Sequence, residues 1–282
     1  MTDSTSVSDH YSHGELLRAI EKALDELGIK PHELAVEDLA PVDEFHIGGR
    51  AATQNLLDQL DFGSARILID VGCGLGGAAR YVADSQGSHV TGIDLTPEYI
   101  ATGRSLCEWV GLQDRVSLQQ GSALSMPFAD ESFDGGYMLH VGMNIDDKAQ
   151  LFREIFRVLR AGAAFGVYDV MRIDSGDLVY PVPWANDDSI SCLATPDQYR
   201  RALTEAGFEI GAENNRRDFA IDFFARLRQR MAAGGGPPAL GLHTLMKEST
   251  AAKVKNMVDN IAAGYIAPVE MVVNKPTAGD VD

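Results

Sequence analysis

Ile67-Leu68-Ile69-Asp70-Val71-Gly72-Cys73-Gly74-Leu75-Gly76-Gly77 joins an apolar run, broken by a single acid, to a cluster of glycines. The apolar part reads as a strand, Ile67 to Val71, of the kind covered on both faces. The glycines permit a tight turn and let a ligand lie against bare backbone, because no Cβ stands in the way. A buried strand that feeds such a turn and then a helix is the opening unit of an α/β sheet.

Downstream, strands and helices alternate. Val90 to Asp94, Val116 to Gln120, Phe133 to His140 and Ala163 to Val170 read as the next four strands. Thr96 and Pro97 mark a helix start, and Asp146 to Arg160 places Leu151, Phe152, Ile155, Phe156 and Leu159 on one side. Thr195-Pro196-Asp197-Gln198 has the pattern of a capping box, and Gly207 closes that helix. After a sixth strand near Phe208 to Ala212 come two helical stretches, Asp218 to Met231 and Lys247 to Ala263, split by Gly234-Gly235-Gly236-Pro237-Pro238. Ala267 to Asn274 is the last strand. Upstream, Glu15 to Leu27 is an amphipathic helix stopped by Gly28 and Pro31, and a second helix runs from Arg50 to about Leu60. The intervening Pro41 to Gly49 is too polar for core and too aromatic for a plain linker.

Composition narrows the function classes. The chain has 24 Lys and Arg against 41 Asp and Glu, a formal charge of −17, which repels phosphate backbones and disfavours nucleic acid as a partner. Cys73, Cys107 and Cys192 lack C-x-x-C spacing, and the histidines are scattered, so neither a disulfide framework nor a metal site is expected. No apolar run approaches the roughly 18 residues that span a bilayer, and the first residues lack a secretory signal pattern, so the expectation is a cytoplasmic protein with no membrane partner. There is no G-x-S-x-G elbow and no phosphate loop of the G-x-x-x-x-G-K-[ST] type.

Gly72, Gly74 and Gly77 also satisfy G-x-G-x-x-G, which suits either a nicotinamide dinucleotide or S-adenosylmethionine. Asp70, at the strand end, repels a pyrophosphate but attracts the cationic amino acid tail of S-adenosylmethionine. Asp94, about 20 residues beyond the turn, is placed to accept from ribose hydroxyls of either cofactor. A nicotinamide-dependent oxidoreductase stays as an alternative, opposed by Asp70 and by the lack of a Tyr-x-x-x-Lys pair. A binding protein without catalysis is a third class.

Five segments together resemble the class I S-adenosylmethionine-dependent methyltransferases: Asp70 to Gly77, Gly92-Ile-Asp94-Leu-Thr-Pro97, Gly121-Ser-Ala-Leu-Ser-Met-Pro-Phe128, Phe133-Asp134, and Arg157-Val-Leu-Arg-Ala-Gly162. The resemblance implies an α/β fold: a Rossmann-like, doubly wound, mostly parallel seven-stranded sheet. It would carry an N-terminal helical cap over residues 1–62, and a core over 63–276 with a helical insertion, 217–265, before the last strand. It also implies S-adenosyl-L-methionine as cofactor and a small-molecule methyl acceptor; a homo-oligomer is compatible with it. Asp70, Gly72 and Gly74 would line the methionine end, Asp94 and Leu95 the ribose, and Ser122 and Ala123 the adenine. Ser122 stands where the family commonly has an acid, and its hydroxyl can still accept.

A narrower resemblance rests on Asp38 to Arg50, His140-Val-Gly-Met-Asn144 and Tyr180-Pro-Val-Pro-Trp-Ala185. These look like the branch of sarcosine and dimethylglycine N-methyltransferase-like proteins, which implies N-methylation of a glycine-derived amine. The alternative acceptor is a hydrophobic natural product or quinone-like ring methylated at oxygen or carbon, supported by the apolar, methionine-containing insertion. His140, at a strand end, and His46 are candidate bases, and His140 also a cofactor contact. Phe45 is a candidate lid, Arg50 and Arg172 candidate carboxylate anchors, and Tyr180 and Trp184 aromatic walls. Against these stand blander roles: a surface ion pair for Arg50, a loop anchor for Trp184, a structural histidine for His140.

Overall fold

The computed structural model describes residues 4–12, 14–63, 66–234, 240–246 and 249–277. Four helices come first: α1 (Ser4–Tyr11), α2 (Leu16–Leu27), α3 (Val36–Asp43) and α4 (Arg50–Leu60). The alternating part runs β1 (Ile67–Val71), α5 (Gly77–Gln86), β2 (His89–Asp94), α6 (Pro97–Trp109), β3 (Val116–Gln120), β4 (Phe133–Leu139), α7 (Lys148–Val158), β5 (Leu159–Arg172), α8 (Pro196–Ala206) and β6 (Glu209–Asn215). Then come α9 (Arg217–Gly234), α10 (Leu242–Met246), α11 (Thr250–Ala262) and β7 (Ile266–Asn274).

The seven strands form one sheet in the order β3-β2-β1-β4-β5-β7-β6. The first five are parallel neighbours, and β7 is antiparallel to both β5 and β6. The strand order reverses between β1 and β4, where Asp70 lies beside Gly92 on one side and Tyr137 on the other. Crevices at such reversals, outside the carboxyl ends of the strands, are where open α/β sheets hold ligands.

The expected strands and insertion are present, with differences at their edges. β5 starts earlier than the apolar run because Leu159 pairs with Phe133 of β4, and ends later because antiparallel pairing to β7 continues out to Arg172. The stretch from Pro41 to Gly49 begins inside a helix, since α3 runs through Pro41: the helix is short, Val36, Leu39 and Val42 bury one face, and the Asp38 carboxylate accepts from Ala35 N at 2.9 Å. The capping box at Thr195 forms, with Gln198 N donating to Thr195 Oγ1 and Thr195 N to Gln198 Oε1. Thr96 does not cap α6 with its side chain. The helix expected over Lys247 to Ala263 is α11, preceded by the separate α10; Lys247, and the glycine-proline joint from Gly235 on, lie outside the described residues.

Buried side-chain clusters hold the assembly together. α7 and α8 cover one face of the sheet through Leu151, Phe152, Ile155, Tyr199 and Leu203. On the other face α4 sets Leu56, Leu57 and Leu60 against Leu68, Tyr137, Tyr168 and Val272, so the last helix of the expected cap packs directly on the sheet. α2 and α3 share a third cluster with α6 and α10, made of Leu16, Ile20, Leu24, Leu39, Leu106 and Leu245. The N-terminal helices and the late insertion thereby meet over the carboxyl edge of the strands.

Candidate active site

The turn after β1 is folded back onto β2. Gly72 N and Cys73 N both donate to Ile93 O, and Gly74 N donates to Asp94 Oδ2 at 2.9 Å. The other Asp94 oxygen accepts from Thr96 N at 2.8 Å. Asp94 is therefore a brace for two backbone segments, and each oxygen keeps a lone-pair direction for a hydroxyl. Gly72 (φ +73°) and Gly74 (φ +54°) need left-handed backbone. A Cβ on Gly72 would sit 2.2 Å from Val141 Cγ2, and one on Gly74 would sit 3.2 Å from the Phe45 ring. Side chains of this chain, as well as any ligand, press on the bare turn.

Above the turn lies a cavity of about 1390 Å³. Asp70, Gly72, Gly74, Asp94, Leu95, Ser122, Ala123, Phe45, His46, His140 and Trp184 all line it, although they come from widely separated parts of the sequence. Arg50, Arg172 and Tyr180 do not. Arg50 Nε is paired with the buried Glu44, and its guanidinium stacks over the Tyr81 ring at 4.1 Å. Arg172 donates to Gly176 O, and Tyr180 packs among the apolar side chains under α9 and α11. Neither expected carboxylate anchor lines the cavity, and each is engaged by a local acceptor within a few residues.

Asp70 is only 2% exposed, and its Oδ2 has no hydrogen-bond partner. Burial, and then the charge of Asp94, push its pKa up to about 8. An orphaned buried carboxylate oxygen at a positively twisted glycine turn fits a bound ammonium group. The residues present therefore suit S-adenosylmethionine: Asp70 for the amino group, Asp94 for the ribose, and Ser122 and Ala123 at the far end. Ser122 Oγ already accepts from Leu124 N at 3.2 Å, the local bond expected of a loop hydroxyl, and it also faces the cavity.

His140 directly follows β4 with φ +55°, an uncommon backbone for a residue with a Cβ. Its ring lies 5.0 Å from Tyr168 and 6.0 Å from His46, centroid to centroid. His46 Nε2 donates to Gly49 O at 3.0 Å, which fixes the tautomer and leaves Nδ1 as the basic nitrogen. Thr53 Oγ1 sits 2.9 Å from the same Nε2 and donates to Glu44 Oε2 at 3.2 Å. Burial lowers the pKa of His46 to about 4 and that of His140 well below the ordinary imidazole value. Both rings are neutral at pH 7, and burial makes each a weaker base than a free imidazole. Glu44 and Thr53 were not singled out from sequence; Glu44 lies within the polar-aromatic stretch, while Thr53 sits in an ordinary helix.

The roof is built from α1 and the loop after β5. Asn144 Oδ1 accepts from Tyr11 Oη at 3.0 Å, while its Nδ2 donates to Trp184 O at 2.9 Å and Ile190 O at 3.1 Å. Trp184 Nε1 donates to Ser191 Oγ at 3.1 Å, so the indole is both loop anchor and cavity wall. Phe223, Phe224, Leu227, Met231, Leu245 and Met257 supply much of the remaining surface. Beneath, Asp43 is joined to Arg80, which is fully buried and also donates to Leu75 O at 2.7 Å. Among the described residues no helix is long and apolar enough to cross a membrane, and no group of His, Cys, Asp or Glu could hold a metal ion.

Comparison with known proteins agrees with this geometry. Residues 69–167 match a family described as a methyltransferase domain. The methyltransferase GfsG of Streptomyces halstedii is 31% identical over 169 residues, 60% of this chain and 59% of that protein. The sterol 24-C-methyltransferase ERG6B of Gibberella zeae is 36% identical over 157 residues, 51% of this chain and 39% of that protein. This chain thus spans less than two thirds of either relative. A crystal structure of a putative sarcosine dimethylglycine methyltransferase from Galdieria sulphuraria superposes with a TM-score of 0.63 at 20% identity, over 80% of this chain and 85% of that one, and so shares the fold. The part of the molecule that builds the glycine turn, from Ile69 to Val167, is accordingly a methyltransferase domain of the class I, S-adenosylmethionine-dependent kind.

Proposed function

We propose that the protein transfers a methyl group from S-adenosylmethionine to an oxygen or carbon of an apolar small molecule. The observation that carries this reading is the single cavity of about 1390 Å³ that runs from Asp70 and Asp94 to a wall of Phe223, Phe224, Leu227, Met257 and Trp184. Ligand pockets of up to roughly 1,000 Å³ already suffice for drug-sized molecules. A cofactor plus a glycine-sized amine would leave most of this space to water. The similarity to a sterol C-methyltransferase supports an apolar acceptor.

The sulfonium supplies an activated methyl group, so the chain's own residues need only align the acceptor, exclude water and manage one proton. Asp70, Asp94 and the glycine turn hold one end of the cavity fixed. The insertion and Trp184 pack the acceptor body, with burial worth roughly 25 cal/mol per Å² of apolar surface. The acceptor's proton goes to one of the two neutral imidazoles: to Nδ1 of His46, whose Nε2 is held by Gly49 O, or to His140. Cavity closure by α1, through Tyr11 and Asn144, keeps the reacting atoms dry.

The test is transfer of labelled methyl from S-adenosylmethionine by the full chain. One set of acceptors holds apolar phenols, hydroxylated polycyclic rings and sterols; the other holds glycine, sarcosine and dimethylglycine. Label is expected in the first set. Turnover confined to the second would replace this reading with amine methylation.

A further inference from the structure

Lys253 is in the wall of the acceptor cavity and only 6% exposed, yet no carboxylate pairs with it among the described residues. Its Nζ lies 3.5 Å from His10 Nε2. That same nitrogen is 3.2 Å from Pro183 O, a group that can only accept. One imidazole nitrogen cannot both donate to the carbonyl and accept from the ammonium, so the contact with His10 does not satisfy the lysine. Burial alone depresses its pKa, with no acid offsetting it.

Nothing in the fold rewards a lysine at this position. It stands in the first turn of α11, where the helix dipole favours anions and disfavours cations. It shares the buried stripe with Met257 and Ile261, where an apolar side chain would pack. An ammonium at the cavity wall with no carboxylate beside it gains from a counter-charge that arrives there. The cavity supplies the route for one.

We propose that Lys253 is the counter-ion for an anionic group, carboxylate or phosphate, carried by the methyl acceptor. The acceptor is then an apolar body with an acidic end, the acid lying at the junction of α11, α1 and the Pro183 loop. This rests on the apolar-acceptor reading above and adds the polar end of the molecule. The charge of −17 makes general anion uptake unfavourable, so an anion preference would have to be local.

The full chain, saturated with S-adenosylhomocysteine, is titrated by calorimetry with dodecanoate, dodecyl phosphate and dodecanol. At least one of the two anions is expected to bind tenfold or more tightly than the alcohol, and which of them does so identifies the acid. Lys253→Met should bring the preferred anion to the affinity of the alcohol, while Lys253→Arg keeps the preference. Equal binding of all three by the native chain, which needs no variant, overturns the proposal while leaving the apolar-acceptor reading intact. So does an anion preference that survives in Lys253→Met. Failure of all three to bind, with S-adenosylhomocysteine still bound, also overturns the proposal and leaves the apolar-acceptor reading to the labelled-methyl assay.

Discussion

The glycine-turn end of the cavity and its acceptor end are built in opposite ways. The first comes from the strand ends between Asp70 and Ala123, and its shape is backbone: amides on Ile93 O and on the Asp94 carboxylate, with glycines where any Cβ would collide. The second comes from α1, the Pro183 to Asn186 loop and α9 to α11, and its shape is side chain: Phe223, Leu227, Met257 and Trp184. A backbone-built site suits a ligand that never changes. A surface made of side chains on helices can be altered residue by residue without disturbing the sheet, and so suits the variable partner of the reaction.

The comparison breaks most readily at Asp94. Asp94→Ala removes two backbone bonds to a carboxylate, each worth about 1.5–3 kcal/mol, along with its ribose contacts. Affinity for S-adenosylhomocysteine should drop by about 100-fold or more; calorimetry showing less than a threefold change would mean that the turn is not the cofactor site. Next in size, His46→Gln or His140→Gln should lower kcat by about 100-fold, the usual range for a general base, with affinity for S-adenosylhomocysteine unaltered. An equal loss of cofactor affinity would assign the histidines to the backbone-built end instead.

A smaller, pH-dependent effect belongs to Asp70. With its pKa raised to about 8, the carboxyl is mostly neutral at pH 6 and must lose its proton before it can face an ammonium group. Affinity for S-adenosylhomocysteine should therefore rise with pH, by up to about tenfold per unit, and flatten near pH 8. In Asp70→Asn the affinity should be weaker and the slope absent; a native profile already flat from pH 6 to 8 would show that this carboxylate does not meet the amino group. Smallest of all, Phe223→Ala should raise the acceptor KM by about threefold to tenfold and leave affinity for S-adenosylhomocysteine as it was. A change in the latter alone would blur the division between the two ends.

Why one end was legible and the other was not follows from the same contrast. Asp70, Gly72, Gly74 and Asp94 lie within 25 residues, and each residue type is dictated by local backbone geometry, so the motif and the fold come from reading the chain in order. His46 meets His140, and Tyr11 meets Asn144, only because the sheet reversal brings distant segments together. Arg50 and Arg172 misled because a free arginine and one satisfied by Glu44 or Gly176 look identical in sequence. Lys253 did leave a signal: a cation in the apolar stripe that continues through Met257 and Ile261. The His140 backbone at φ +55° left none, since no residue type there demands it.

Asp43 and Arg80 carry a last consequence. The segment from Asp43 to Arg50 could have been a hinged flap, but a guanidinium sealed in the interior fastens its first residue to the helix that follows the glycine turn. Shortening the chain from its start beyond Asp43 would strand that guanidinium without its counter-charge, and the product would fail as a folded protein before its catalysis could be judged. Trimming experiments on this protein are informative only upstream of that aspartate.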